Sequence, residues 1–126
     1  MSCRYNTTLT LLSICIALPS PRLKAQWIEN GVPVCTAIGG QYDTRIISDN
    51  CGGAIIAWID YRHGSDNIDI YAQRIDGDGY LMWATDGIAV CNASGSQERI
   101  NIASDGAGGA IIVWHDYRNV GPDIYA

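Results

Sequence analysis

The chain has 126 residues, 48% hydrophobic and 17% charged, with a formal net charge of −5. An acidic balance of this kind argues against nucleic acid or an anionic membrane surface as partner, since both are bound through basic patches. The length suits one conventional domain or about two small repeated units.

Met1–Ala25 stands apart in composition. Arg4 lies in a short polar stretch, Leu9–Leu18 is apolar, and Pro19-Ser20-Pro21 breaks the run before Leu23-Lys24-Ala25. That order predicts a secretory signal peptide over 1–25, with an apolar stretch too short to span a bilayer. A buried N-terminal helix is excluded by the prolines and the missing caps, and Ile14 is too bulky for a lipoprotein box ending at Cys15. Removing Arg4, Arg22 and Lys24 with this segment leaves five arginines against thirteen acidic side chains, a formal charge of −8. The expected mature chain is therefore exported, to the cell surface, the periplasm or the medium, and has no transmembrane segment. It keeps Cys35, Cys51 and Cys91, an odd number that leaves at least one outside any internal pairing.

From Trp27 onward the sequence repeats itself. Trp27, Gly31, Val34, Cys35, Ala37, Gly39 and Gln41 return 56 positions later as Trp83, Gly87, Val90, Cys91, Ala93, Gly95 and Gln97. Gly52-Gly53-Ala54-Ile55-Ile56 returns as Gly108-Gly109-Ala110-Ile111-Ile112, and Asp60-Tyr61-Arg62 as Asp116-Tyr117-Arg118. Trp27–Arg62 and Trp83–Arg118 are identical at 19 of 36 positions without a gap, which chance does not produce. Past Arg62 the register slips by two, so that Asp69-Ile70-Tyr71-Ala72 returns as Asp123-Ile124-Tyr125-Ala126. The slip falls on His63–Asn67 and Asn119–Pro122, whose glycines and proline mark a surface loop. The expected organisation is a first unit over 26–82 and a second over 83–126. Ala126 aligns with the middle of a strand of the first unit, so the second is expected to be truncated, the front of a longer array. Cys35 and Cys91 share one repeat position and are expected to be small buried hydrophobes.

Short β-branched and aromatic runs alternate with glycine and aspartate punctuation, which predicts an all-β chain. In chain order the expected strands are Arg45–Ser48, Ala54–Asp60, Ile68–Ile75, Tyr80–Trp83 and an outer piece at Ile88–Cys91. In the second unit, strands are expected to start near Asn101, Ala110 and Asp123. Ala54–Ile59 and Ala110–Trp114 are apolar on both faces, as strands sandwiched between sheets are. Four antiparallel strands repeated radially make a β-propeller blade, so the expected fold is a β-propeller-like array of period about 56, incomplete here.

Chemistry-bearing candidates are few. Asp60, Tyr61 and Arg62, with Asp116, Tyr117 and Arg118, end the two apolar strands and are the candidate binding residues. As a binding face they would form a polar and aromatic ring suited to stacking on sugars. As unit structure, the aspartate caps the turn, the arginine pairs with it and the tyrosine covers the rim. Recurrence in both units favours the structural role, because a catalytic group is normally unique. Asp76 and Asp78, in Asp76-Gly77-Asp78-Gly79, open like a calcium loop, but a distal glutamate is missing and a hairpin turn fits better. No cofactor is expected beyond that weak calcium candidate. His63 and His115 have no metal-spaced partners, and no nucleophile elbow or Ser–His–Asp set is present.

The string Ser104-Asp105-Gly106-Ala107-Gly108-Gly109-Ala110-Ile111-Ile112-Val113-Trp114-His115-Asp116-Tyr117-Arg118, followed by Asp123-Ile124-Tyr125-Ala126, resembles a repeat of large exported bacterial proteins. Those proteins are propeller-like, mostly without assigned activity, and some end in a type IX secretion sorting domain. The resemblance covers nearly all of Trp27–Ala126 and implies a secreted or surface-associated module. It transfers no catalytic residue. The functional expectation is a non-catalytic module that binds a ligand or a protein or glycan partner, alongside further repeats of the array. The alternative is a fragment of a propeller-scaffold glycoside hydrolase or lyase.

Overall fold

The computed structural model describes residues 27–126, so the expected signal peptide lies outside the described residues. Seven strands form: β1 (Gln41–Ser48), β2 (Ala54–Asp60), β3 (Asp69–Ile75), β4 (Ile88–Cys91), β5 (Gln97–Ser104), β6 (Ala110–Asn119) and β7 (Gly121–Tyr125). They make two antiparallel sheets, β1-β2-β3-β4 and β5-β6-β7. The fold is all-β. Among the described residues no helix is long and apolar enough to cross a membrane.

β2 and β6 are the central strands of their sheets, as their two-faced apolar runs require. In β2 the alternation of side chains puts Ala57 and Ile59 on one face and Ile56, Trp58 and Asp60 on the other. Ala57, Ile59, Ile70 and Ala72 from the first sheet, with Ile68 just before β3, meet Ile100 and Trp114 from the second, and Ile102, Ile112 and Tyr125 pack against them. The small side chains of Ala57 and Ala72, both essentially unexposed, let the second sheet approach closely at these points. β5 crosses β1, β2 and β3, and a backbone bond from Gln97 N to Ile68 O, 2.7 Å, ties the two layers together.

Positions 56 apart behave alike. β1 is bulged between Tyr42 and Arg45, with Asp43 at φ 51°, and β5 is bulged between Glu98 and Asn101, with Arg99 at φ 54°. A bulge bends the strand and sharpens its twist. The Asp49 turn between β1 and β2 is built like the Asp105 turn between β5 and β6. In each, the aspartate Oδ1 accepts two backbone amides, at 2.8 Å from Cys51 and Gly53, and at 2.7 and 2.8 Å from Ala107 and Gly109.

The structure departs from expectation around Tyr80–Trp83. This segment forms a single bridge, Ile75 to Leu81, and Ile88–Cys91 is the fourth strand of the sheet. The cause is Gln73, a fully buried amide on β3. Its Oε1 accepts from Trp83 N at 2.9 Å and its Nε2 donates to Ala84 O at 2.8 Å, so a side chain replaces the ladder there. β1, β5 and β7 also begin earlier than expected, at Gln41, Gln97 and Gly121. β7 does so because β6 runs on to Asn119, leaving Val120 alone at the turn where the first sheet has a long loop.

One close approach recurs at the edge of each sheet. Tyr61 N donates to Gly40 O at 3.0 Å, and a Cβ on Gly39, φ 88°, would lie 2.6 Å from Tyr61 O. Gly31, φ 95°, has nothing within 4 Å of its would-be Cβ. Gly31→Ala is therefore expected to lose about 1–2 kcal/mol from left-handed strain alone. Gly39→Ala adds a backbone clash and is expected to lose about 3 kcal/mol or more. Chemical denaturation of the two variants checks this, and equal losses would remove the close approach from the account.

Candidate functional site

The candidate residues Asp60 and Arg62 close on each other at the end of β2. Trp58 and Asp60 are two apart on a strand and share a face, so the indole Nε1–H donates to Asp60 Oδ2 at 2.7 Å. Arg62 turns back after the strand ends. Its Nε donates to Asp60 Oδ1 and its Nη2 to Oδ2, each at 2.8 Å, while its backbone N reaches Oδ1 at 2.9 Å. This is the two-pronged geometry in which guanidinium and carboxylate pair best. The guanidinium carbon lies 3.6 Å from the centre of the Tyr71 ring, and Tyr71 stands opposite Trp58 in the ladder. Arg62 Nη2 also donates to Asp86 O at 2.9 Å and lies 3.6 Å from Cys35 Sγ.

The second sheet rebuilds the same clasp. Trp114 Nε1 donates to Asp116 Oδ2 at 2.9 Å, and Arg118 grips both carboxylate oxygens through Nε and Nη2 at 2.8 and 2.5 Å. Its guanidinium lies over Tyr125 at 4.1 Å and its Nη2 is 3.3 Å from Cys91 Sγ. Each clasp thus joins a cysteine, a tryptophan, an aspartate, an arginine and a tyrosine. Cys35 and Cys91 are half-buried free thiols at equivalent places.

Electrostatics in the clasps follow from burial against pairing. Asp60 and Asp116 are fully buried. At Asp60 desolvation opposes the charge, but hydrogen bonds from Arg62 and Trp58 outweigh it and hold the carboxyl below the usual range. At Asp116 the Arg118 bonds dominate and burial is the lesser influence, so its carboxyl is held far below that range. The aspartates in turn raise Arg62 and Arg118. Burial pushes the Cys35 thiol up, away from the reactive thiolate. Pairing thus favours the charged form of each aspartate and each arginine.

Tyr61 and Tyr117 sit apart from the charges between which they lie in sequence. Tyr61 meets Tyr42 edge to face, ring centres 5.3 Å apart at 88°, and Tyr42 is 60% exposed. Tyr117 is 37% exposed, and the position equivalent to Tyr42 is Glu98. Tyr42 was not among the sequence candidates. Its signal is a paired difference between the units: Gly40 with Tyr42, Ser96 with Glu98. A Cβ on residue 40 would lie 2.2 Å from the Tyr42 ring, so the ring can fold inward only over glycine. Beside it, Arg45 and Asp43 form an ion pair at 2.6 Å.

Asp76 sits in a turn of the Asp49 type. Its Oδ1 accepts the amides of Asp78 and Tyr80 at 3.0 and 2.8 Å, and Asp78 is exposed at the turn's tip. An oxygen engaged by two amides and one exposed carboxylate do not make the six or more oxygen ligands that calcium takes. Among the described residues no group of three or more His, Cys, Asp or Glu is placed to hold a metal. The loop that differs in length carries a second pairing missed in the sequence. His63 Nδ1 lies 2.5 Å from the buried Asp69, and in the other unit Asn119 Nδ2 donates to Asp123 at 2.9 Å. The first runs from the loop to the first residue of β3, the second from the end of β6 to the middle of β7.

Asp60→Asn leaves the half-buried Arg62 without its counter-charge in a site otherwise closed to water and is expected to cost about 3 kcal/mol in unfolding free energy. The pH dependence has a definite sign. Because the folded pKa values of Asp60 and Asp116 are depressed, the unfolded chain binds more protons as pH falls. Stability from the clasps is complete above the unfolded carboxylate value near 4 and is lost as pH drops below it toward the folded values. Denaturant midpoints measured from pH 7 down to pH 2 check this, and a midpoint that rises on acidification would contradict it.

Compared with known proteins, the chain matches no family model, no curated protein and no solved structure.

Proposed function

We propose that this chain is an exported or surface-associated, non-catalytic, propeller-like repeat module that binds its ligand by stacking on an aromatic rim. The observation that carries the reading is a division of labour within Asp60-Tyr61-Arg62. The charged pair is closed on itself inside the sheet, while Tyr61 joins the exposed Tyr42 at the edge. Flat amphipathic rings held rigidly at a surface give large contact area at little entropic cost. The ligand class that suits them is a glycan or another cell-surface component, whose apolar ring faces stack and whose hydroxyls meet Asp43 and Arg45. The propeller-like reading is supported by two antiparallel sheets packed face to face, each with its clasp on the same side. Export is supported by the order of polar, apolar and proline-broken segments in Met1–Ala25.

A glycan array followed by titration calorimetry on the best hit tests the proposal. Tyr42→Ala is expected to weaken binding about tenfold, or about 1.4 kcal/mol, with the fold unchanged, and Tyr61→Ala, whose ring also packs against the core, to weaken it as much at some cost in stability. Tyr117→Ala is expected to weaken it less. Absence of any hit, or turnover of a polysaccharide by the protein, would overturn it.

A further inference from the structure

The two sheets are alike, yet each has one apolar face left open, the opposite face in each, and this arrangement points to a partner. In the first sheet Ile55, Ala57 and Ile70 are buried, at 2%, 0% and 0% exposure. Ala57 and Ile70 lie in the core beneath β5 and β6 of the second sheet. The equivalent residues of the second sheet are Ile111, Val113 and Ile124. Ile111 and Ile124 are 52% and 68% exposed, and Val113 is half-buried. They form an apolar face on a sheet whose counterpart is an interior, and exposed faces of that kind mark interaction sites.

The surface that would cover it is also present on the chain. The first sheet is covered by Ile100, Ile102, Ile112 and Trp114. Their equivalents, Thr44, Ile46, Ile56 and Trp58, lie on the far face of the first sheet. Four of a groove's lining residues are these same side chains, joined by Val34 and Cys35, and the groove measures about 350 Å3. Ile46 is 64% exposed there. The chain therefore carries both halves of its own internal joint, one at each end.

We propose that the face bearing Ile111, Val113 and Ile124 receives the Ile46–Ile56 face of a second copy of this chain, head to tail. The contact is heterologous, so it leaves one free face of each kind and extends with concentration until a ring closes. His115 and Thr44 stand where Ile59 and Ile100 do in the internal joint, so the contact between copies has two apolar groups fewer and is the weaker of the two. The proposal is independent of the ligand at the tyrosine rim.

Sedimentation velocity on the whole chain and on two variants tests it. Ile124→Asp blocks one face and Ile46→Asp the other, and both replace exposed side chains, with Ile111→Asp as a second block should Ile124→Asp lose its native circular dichroism. The unmodified chain is expected to reach at least twice the monomer mass as concentration rises, and each variant alone to stay monomeric. An equal mixture of the two is expected to form a dimer and stop there. A chain that remains monomeric throughout, a single variant that still associates, or a mixture that does not, would each overturn the proposal.

Discussion

A carboxylate with no exposure survives inside a β-sheet only when every lone pair facing the protein finds a donor, and Asp60 and Asp116 meet that condition in the same way. Removing such a charge from water costs several kcal/mol, and the bonds from tryptophan and arginine must offset it. The clasp is thus a constraint before it is a source of stability. A well-packed apolar pair in its place could be equally stable, whereas half a clasp could not. What it provides is geometry. The strand must end where its aspartate can meet an arginine two residues later, and the arginine must lie flat on the tyrosine of the neighbouring strand.

Much else follows from that fixed point. With Arg62 folded back under the sheet, Tyr61 is turned to the edge, where its backbone amide bonds Gly40 and its ring meets Tyr42. Arg62 also reaches Asp86 O, and Asp86 Oδ1 accepts from Thr36 N at 2.7 Å. One guanidinium therefore joins the segment before β1, the end of β2 and the approach to β4. Tryptophan serves two purposes here. Its indole nitrogen satisfies the carboxylate, while Trp114 presents its ring to the space between the sheets.

The parts of the fold written in local signals were legible in the sequence. The two-faced apolar runs of β2 and β6, the aspartate-capped turns and the loop of variable length all depend on neighbours in the chain. Tyr80–Trp83 read as a strand because its residues suit one. It was displaced by the Gln73 amide, a contact ten residues away that no periodicity records. The recurring Asp-Tyr-Arg was visible as a motif, and its aspartate–arginine pairing was foreseen. Its tryptophan partner lies in an apolar run, and the hydrogen-bonding edge of an indole does not show in an apolar pattern. Tyr42 stands where the units differ, so recurrence between them does not mark it. His63 and Asp69 are brought together only when the loop is closed, so their pairing was not readable either.

The central claim is that a buried aspartate anchors each sheet through an indole and a guanidinium. Exchange of the tryptophan indole protons, followed by nuclear magnetic resonance at neutral pH, tests it most directly. Trp27 provides the internal reference, since it is 55% exposed and bonds only a turn carbonyl, Gly77 O, at 3.0 Å. The account predicts that the Trp58 and Trp114 indole protons exchange orders of magnitude more slowly than that of Trp27, at the pace of global unfolding. Exchange of Trp58 and Trp114 as fast as that of Trp27 would contradict it.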